Sequence, residues 1–440
     1  MLATFVPHET TILERMISLA GIPILVLITW LMSSDRKKVS WRPVLWGVGL
    51  QLVFGAVVLS PVLSEFFFTV VDRGVKWLIG FSEQGASFVF GTIDAHQVLD
   101  MNGAPRPVPF GVSPPVRTFA FWILPTIIFF SSLMSIGYHL GIMQKLVYGV
   151  AWVMQRTMGT SGAESLATAA NIFVGQTEAP LLVKPFVEKM TRSELHAVMT
   201  AGFATVAGGV MAAYVGFLKD IPGIAGHLVT ASIISAPAAI AVSKIMVPED
   251  GVPVTLGKLS IDVEKTSRNV IEAAARGASE GVQLVLNVGG MLIAFVALMN
   301  MVDACLGFIP IPGAEALSLS MLLGYGFAPV AFIMGVPTDD CLAIGRLLGE
   351  KIVLTEFVAY INLGALSSSE TPQITERSAI IASYGLCGFA NFASIGIQLG
   401  GIGGIAPSRM GDLAELGLRA MVSGSIACFM TGAVAGVLIG

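Results

Sequence analysis

Long apolar segments recur along the whole chain, and they constrain its fold more than any other feature. A stretch of about 20 mostly apolar residues has the length that an α-helix needs to cross a bilayer. The sequence predicts eight such spans, at residues 16–34, 43–63, 118–140, 196–217, 225–246, 284–309, 377–404 and 412–439. Because lipid cannot satisfy open backbone groups, spans of this kind must be helical. We therefore expect an all-α polytopic membrane protein.

The composition excludes several other classes of protein. Charged residues make up only 12% of the 440 residues, whereas soluble domains carry roughly 25%. That is too little charge to cover the surface of a soluble fold of this size. The chain has no basic domain of the kind that binds nucleic acid, and it lacks the short alternating segments of an outer-membrane barrel. Its four cysteines lie far apart and predict neither a disulfide framework nor a zinc site.

Clusters of basic residues predict how the chain is oriented. They follow the first, third and fifth spans and surround the start of the eighth. Their members are Arg36, Lys37, Lys38 and Arg42, then Lys145 and Arg156, then Lys258, Lys265, Arg268 and Arg276, and finally Arg409 and Arg419. With eight spans, all four clusters fall on one side, which the positive-inside rule makes cytoplasmic. Both termini would then lie outside.

Two segments are too polar or too interrupted to cross a membrane, and we predict that each forms a helical hairpin. They cover residues 160–186 and 338–373, and they hold the carboxylates Glu178 and Glu356 in apolar surroundings. Non-helical backbone at membrane depth survives only where it is buried in protein or lines a cavity. We therefore expect both hairpins to re-enter the membrane, with their carboxylates near its midplane.

The order of the segments repeats along the chain. A span, a further apolar helix, a hairpin and two more spans occur in residues 118–246 and again in 284–440. With the predicted orientation the two hairpins enter from opposite sides, which makes an inverted repeat with a substrate site between its halves. Residues 1–117 would form N-terminal spans and an interfacial helix at 64–91, and 247–283 an amphipathic interfacial connection.

Three motifs make the chain similar to the concentrative nucleoside transporter family. They are GQTEAP at 175–180, EFVAY at 356–360 and the run from GFANF to APSR at 388–409. The resemblance implies a homotrimer in the lipid bilayer of the cell inner membrane. It implies import of nucleosides by symport with sodium or protons, of which we expect sodium, through elevator-type alternating access. It implies no enzymatic activity, no cofactor besides the coupling ion and no nucleic-acid partner.

The resemblance also implies roles for individual residues. The residues expected at the nucleoside are Gln176, Thr177, Glu178, Glu356, Phe389, Asn391 and Ser394. In this set the first hairpin and Phe389 would contact the nucleobase, and the others would hold the ribose hydroxyls. The residues expected at sodium are Asn171, Val174, Thr205 and Val206. A neutral nucleoside needs paired hydrogen-bond donors and acceptors rather than cationic clamps, and carboxylate and amide groups supply them.

Other functions stay open on the residues alone. The same fold could couple to protons, with Glu178 or Glu356 carrying the proton and with Asn171 and Thr205 serving only to pack helices. An intramembrane hydrolase could use the carboxylate pair, although the sequence has no nucleophile–base or metal motif. A passive channel would differ from both because it could not accumulate its solute against a gradient.

Several polar residues are expected to be structural. Arg346 and Lys351 are predicted to lie on a solvated face, and the five histidines at the periphery of the protein. Asp339 and Asp340 are predicted to begin or cap the first helix of the second hairpin.

Overall fold

The computed structural model is almost entirely helical and describes residues 5–59, 61–90, 98–99, 105–106, 118–258, 267–308, 317–368 and 372–439. Its one sheet in these ranges is a two-residue antiparallel pair, β1 (Val98–Leu99) with β2 (Pro105–Arg106). The predicted all-α class is therefore confirmed. Most of residues 91–117, at the end of the predicted N-terminal region, lies outside the described residues.

Three long helices open the chain: α1 (Ile12–Leu31), α2 (Trp41–Val58) and α3 (Pro61–Phe90). A capping box starts α1, because Thr11 Oγ1 accepts from Glu14 N at 3.3 Å and the Glu14 carboxylate accepts from Thr11 N at 2.9 Å. The first two helices coincide with the first two predicted spans. The predicted interfacial helix at 64–91 corresponds to α3 as far as Phe90, and residue 91 lies outside the described residues.

Two series of helices follow, and they have the same order. The first contains a π-helical turn (Phe119–Ile123), α4 (Leu124–His139), α5 (Ile142–Met158), α6 (Gly162–Asn171), a 3₁₀ turn (Ala179–Val183), α7 (Lys184–Val187), α8 (Arg192–Ala204), α9 (Gly208–Phe217) and α10 (Ile224–Met246). The second contains α11 (Val270–Leu306), α12 (Leu319–Ile333), a 3₁₀ turn (Thr338–Asp340), α13 (Cys341–Val353), α14 (Glu356–Leu366), α15 (Glu376–Leu386), α16 (Phe392–Ile405), another 3₁₀ turn (Pro407–Arg409) and α17 (Met410–Leu438). Each series therefore has two helices, a helix–loop–helix pair, a broken helix and a long helix.

Among the described residues, seven helical stretches are long and apolar enough to cross a membrane. They are Ile12–Leu31, Trp41–Val58, Ala120–His139, Arg192–Phe217, Ile224–Met246, Val270–Leu306 and Pro407–Leu438. The eighth predicted span, at 377–404, is not one continuous helix, because it is divided between α15 and α16. The stretch Arg192–Phe217 is likewise divided, between α8 and α9.

The sixth predicted span and the amphipathic segment before it form one helix. α11 runs for 37 residues, so the predicted division at residue 283 falls inside it. Asn269 caps its start by accepting from Glu272 N at 2.8 Å. The remainder of the predicted amphipathic segment, at 259–266, lies outside the described residues.

The middle of the molecule is built from α8, α10, α15 and α17, which pack on one another. Buried residues make up 89% of an 18-residue stretch of α10 but only 6% of the corresponding stretch of α11. The helix–loop–helix pairs lie against this buried group, α6 on α8 and α13 on α15. The two pairs are therefore held by the least exposed part of the protein.

Candidate functional site

The site is organised around the interruptions of the two broken helices. After α8, Thr205 takes an extended conformation with φ −125° and ψ 168°. After α15, Cys387 is extended and Gly388 has φ +146°, a region that residues with a Cβ rarely adopt. We call these interruptions, at 205–207 and 387–391, the first break and the second break. Each leaves backbone groups that intrahelical hydrogen bonds do not use.

The two breaks lie directly against each other. An ideal Cβ at Gly388 would lie 2.6 Å from Phe203 O, so only a glycine allows this approach. Cys428 of α17 joins the two sides, because its Sγ donates to Cys387 O at 2.9 Å and lies 3.7 Å from Ala204 O. The ends of α8 and α15 therefore meet at one place in the buried centre.

Glu356 is buried and is held by two hydrogen bonds. It is the first residue of α14, and its side chain is 2% exposed. Its Oε1 accepts from the Tyr214 hydroxyl at 3.0 Å, and its Oε2 accepts from Asn391 Nδ2 at 2.8 Å. Asn391 in turn caps α16 by accepting from Ser394 N at 2.9 Å. The structure therefore brings three predicted residues together, and the carboxylate keeps lone pairs for a ligand.

The first hairpin, residues 160–186, reaches the same helix through Gln176. Gln398 of α16 donates from its Nε2 to Gln176 Oε1 at 2.9 Å and to Met199 O at 3.0 Å. Gly202 makes room for this pair, since an ideal Cβ there would lie 2.8 Å from the Gln398 amide. α16 thus contacts residues of both hairpins, through Asn391 at its N-cap and through Gln398 about two turns later.

Three further predicted residues are less enclosed. Thr177 is half-buried and packs on Gly401 of α16. Phe389 lies in the second break and is half-buried against the core. Glu178 lies at the protein surface, and its carboxylate accepts a long hydrogen bond, 3.4 Å, from Gly175 N. It faces α11, where Glu280 and Arg276 act on it electrostatically.

The residues predicted at sodium lie around the first break, and all four are buried. Asn171 Nδ2 donates to Ala167 O at 3.1 Å, whereas its Oδ1 is buried and has no hydrogen-bond partner in the described part of the chain. Thr205 Oγ1 donates to Ala201 O at 2.9 Å, which leaves its lone pairs free to accept. Gly208 N donates to Phe173 O at 3.0 Å and ties the first break to the hairpin that carries Asn171 and Val174.

This set of atoms fits a small hard cation. Sodium prefers oxygen ligands, and a buried acceptor without a partner costs free energy unless something occupies it. Asn171 Oδ1 supplies such an acceptor. Thr205 and Val206 lie outside α8 and α9, where backbone oxygens can face a ligand instead of an intrahelical donor.

Two residues of the site were not predicted from the sequence. Tyr214, in α9, and Gln398, in α16, are fully buried polar side chains inside apolar helices. The available signal for Gln398 was its spacing, because it follows Ser394 by four residues and so shares a face of the helix. Tyr214 had no comparable signal.

Two groups of predicted peripheral residues are in fact buried. Lys351 is 0% exposed, so its prediction on a solvated face was wrong, whereas Arg346 is exposed as expected. His196 and His227 were expected at the periphery and are also buried. Asp340 is buried too, and its Oδ2 accepts from Thr375 N at 2.9 Å, which joins the start of α13 to that of α15.

Three family models match the chain. They are the Na+ dependent nucleoside transporter N-terminus at residues 20–93, nucleoside recognition ("Gate") at 120–220, and the Na+ dependent nucleoside transporter C-terminus at 227–436. Together they span most of the described helices. These models describe transporters, so the matches support the expectation that the chain is a transporter rather than an enzyme.

Similar proteins agree with these models. Solute carrier family 28 member 3 of Mus musculus is 41% identical over 97% of this chain, but the chain spans only 59% of that relative's length. The uncharacterized transporter YutK of Bacillus subtilis is 40% identical, over 96% of this chain and 98% of its own.

Solved structures agree as well. CNTnw in an inward-facing substrate-bound state matches with a TM-score of 0.84 and 37% identity, covering 97% of this chain and 98% of that one. A CNTnw double variant in an outward-facing state matches with a TM-score of 0.86 and 36% identity, over the same shares. This membrane-integral chain therefore belongs to the concentrative nucleoside transporter family.

Proposed function

We propose that the protein imports nucleosides by symport with sodium. The observation that carries the proposal is the convergence on α16. Glu356 of the second hairpin bonds Asn391 at 2.8 Å, and Gln176 of the first hairpin bonds Gln398 at 2.9 Å. Two hairpins are thereby linked to one short helix that starts at a break. Membership of a family of Na+ dependent nucleoside transporters supports the same function.

Glu356 would hold the ribose. A carboxylate accepts hydrogen bonds from two adjacent hydroxyls, and Tyr214 and Asn391 fix its orientation from the protein side. Asn391 and Ser394 would add further polar atoms to the sugar. Because these groups are already aligned, little ordering would accompany binding of the sugar.

The first hairpin would read the nucleobase. Gln176, Thr177 and Glu178 offer an amide, a hydroxyl and a carboxylate, which together can donate to and accept from the edge of a base. Phe389, half-buried beside Asn391 in the chain, would pack against the ring. The exposure of Glu178 is consistent with a carboxylate whose partner arrives with the substrate.

Sodium would bind at the first break, to Asn171 Oδ1, Thr205 Oγ1 and backbone oxygens at Val174 and Val206. The unpartnered Asn171 Oδ1 supports this assignment. Asn171 and Gln176 belong to the same hairpin, so an ion that orders this hairpin would favour nucleoside binding as well. By linkage the nucleoside would favour the ion to the same extent.

Transport would follow from a movement of the hairpins relative to the rest of the protein. CNTnw has been solved in inward-facing, outward-facing and intermediate states. For this chain we propose re-entrant hairpins at 160–186 and 338–373 within inverted repeats at 118–246 and 284–440, and an elevator-type movement. We also propose a homotrimer in the cell inner membrane with both termini outside, in agreement with the largely uncovered surface of α11.

Uptake into proteoliposomes tests the function. Radiolabelled uridine and adenosine are offered with an inward sodium gradient, and choline replaces sodium in the control. The proposal predicts that at least one nucleoside accumulates inside above its external concentration, only with sodium. Absence of uptake by folded protein under any cation gradient would contradict it.

The proton-coupled alternative is separated by the same preparation. A pH gradient without sodium would drive uptake in that case, and sodium would not stabilise the protein against heat. Sodium-driven uptake together with sodium-dependent thermal stabilisation excludes that alternative.

A further inference from the structure

Lys351 is a buried cation outside the proposed sets of nucleoside and sodium ligands, and its charge acts on the Glu356 carboxylate. It lies in the last turn of α13 and is 0% exposed, and its Nζ donates to Gly385 O at 3.0 Å. Lys244, which is also buried, pairs with the Glu164 carboxylate at 2.8 Å. Within the described ranges, Lys351 has no ion pair of that kind. A buried ammonium without such a pair is costly and calls for a specific reason.

The surroundings of Lys351 are the carbonyl end of α15. Helix α15 ends at Leu386, so its last carbonyls have no partner within the helix. Ser383 O instead accepts from the Tyr360 hydroxyl at 2.8 Å, and Gly385 O accepts from Lys351. Lys351 also interacts with the Cys428 thiol, which lies between the two breaks. The ammonium therefore occupies the negative end of a half-helix, where a cation is stabilised.

The first break has a comparable arrangement of a hairpin helix against a broken helix, with an amide at the end of the hairpin helix instead of an ammonium. Asn171 is the last residue of α6, as Lys351 lies in the last turn of α13, and each belongs to the first helix of a hairpin. Each of these hairpins is hydrogen-bonded to its broken helix, by Gly208 N to Phe173 O and by Lys351 to Gly385 O. At the first break, however, the buried Asn171 Oδ1 has no partner among the described residues.

We infer that the Lys351 ammonium is a resident counterpart of the coupling cation: it permanently fills the cation position at the second break, where it acts as a positioning residue. The inference rests on the proposed function for the first break. The exchangeable cation would then bind only at the first break. The second hairpin would stay in its binding arrangement without an ion from solution.

Lys351 would act on the nucleoside through two short connections. Glu356 follows it by five residues, across the turn between α13 and α14. Lys351 bonds the end of α15, which precedes the second break. Asn391 bonds Glu356 and caps α16, which follows that break. Removing the ammonium would release the end of α15 and misalign both ribose-binding groups, while the first break would keep its own ligands.

Two binding measurements on purified protein test this inference. One is the Kd for uridine and adenosine at saturating sodium, and the other is thermal stabilisation by sodium without nucleoside. In Lys351→Met we expect the Kd of the nucleoside to rise roughly tenfold or more, because a charged hydrogen bond is lost. We expect the half-stabilising sodium concentration to stay within about twofold of the wild type, since the first break is intact.

Matched variants separate charge from bulk. Arg346→Met removes an exposed cation from the same helix and should leave both measurements unchanged. Lys351→Arg keeps the charge and should retain more nucleoside affinity than Lys351→Met. For the wild type, the sodium titration should have a Hill coefficient of about one, as expected for a single exchangeable cation.

Several results would overturn the inference. The first is an unchanged nucleoside Kd in Lys351→Met, and the second is an equal loss of nucleoside affinity in Lys351→Met and Lys351→Arg. The third is that Lys351→Met loses sodium stabilisation together with nucleoside binding. The fourth is a Hill coefficient near two for sodium in the wild-type protein. Failure of the proposed function looks different. In that case the wild-type protein itself shows no sodium stabilisation or binds no nucleoside.

Discussion

The first and second breaks occupy the same place in the two series of helices, but they differ in the groups that satisfy their polar atoms. At the second break, the end of α15 is satisfied by protein groups, including Tyr360 and Lys351. At the first break, a buried acceptor of Asn171 is left without a partner in the described residues. The comparison teaches that a repeated architecture need not repeat its chemistry. At the second break these groups belong to the chain itself, whereas at the first break we propose that an ion supplies them.

The two hairpin carboxylates differ in the same way. Glu356 is buried and held by Tyr214 and Asn391, whereas Glu178 is exposed and its hydrogen bond among the described residues comes from Gly175 of its own turn. A carboxylate with two fixed donors is aligned before its ligand arrives. A carboxylate without them can adapt. This asymmetry suits a constant sugar on one side of the site and a variable base on the other.

The largest effect is expected from the aligned carboxylate. Glu356→Gln replaces an acceptor-only group that takes charge-assisted hydrogen bonds from two protein donors and, by the proposal, from the ribose. Uptake measured as kcat/KM should fall by roughly a hundredfold or more. Glu376→Gln, on the exposed start of α15, is the matched control and should transport normally. Equal and mild effects in the two variants would remove Glu356 from the site.

The contact between the breaks should be the next most sensitive feature. Gly388→Ala places a methyl group against Phe203 O at a positive φ, so it should lower the free energy of unfolding by about 2 kcal/mol. Thermal unfolding in detergent measures the change. Gly400→Ala, in α16 with open space around its Cα, should be neutral or slightly stabilising. Comparable melting temperatures for both variants would mean that the breaks do not depend on this approach.

Asn171→Ala tests the open break alone. Loss of one oxygen ligand should raise the half-saturating sodium concentration for uptake about tenfold, while nucleoside affinity at saturating sodium changes little. Asn287→Ala, on the exposed surface of α11, serves as the control. If sodium dependence is the same in both variants, the coupling ion binds elsewhere.

The smallest effect is expected at the link between the hairpins. Gln398→Met keeps the volume of the side chain but removes its bonds to Gln176 and Met199, and the KM for nucleosides should rise several-fold. Gln373→Met, exposed before α15, is its control. An unchanged KM would show that the first hairpin does not need this link.

The sequence predicted the all-α class and the residues of the Glu356 cluster, for physical reasons. A run of apolar residues of membrane length has few alternatives to a helix, and an acid or amide inside such a run needs a partner or a ligand. Glu356, Asn391 and Ser394 were accessible in this way. The helical hairpins and their place in the membrane stay predictions.

What could not be predicted depends on contacts between distant parts of the chain. The break of 377–404 into two helices rests on the packing of Gly388 against Phe203, which no local pattern reveals. Lys351 resembles Arg346 in sequence, yet only Lys351 meets the end of α15. Tyr214 likewise reaches Glu356 from another part of the chain, 142 residues away.

Reciprocal binding of sodium and nucleoside tests the central claim most directly. The account predicts that saturating sodium lowers the Kd of the nucleoside by some factor, and that saturating nucleoside lowers the Kd of sodium by the same factor. Isothermal titration of the purified protein gives both values, and in Asn171→Ala the effect of sodium on nucleoside binding should need about tenfold more sodium. Independent binding of the two solutes in the wild-type protein would contradict the account.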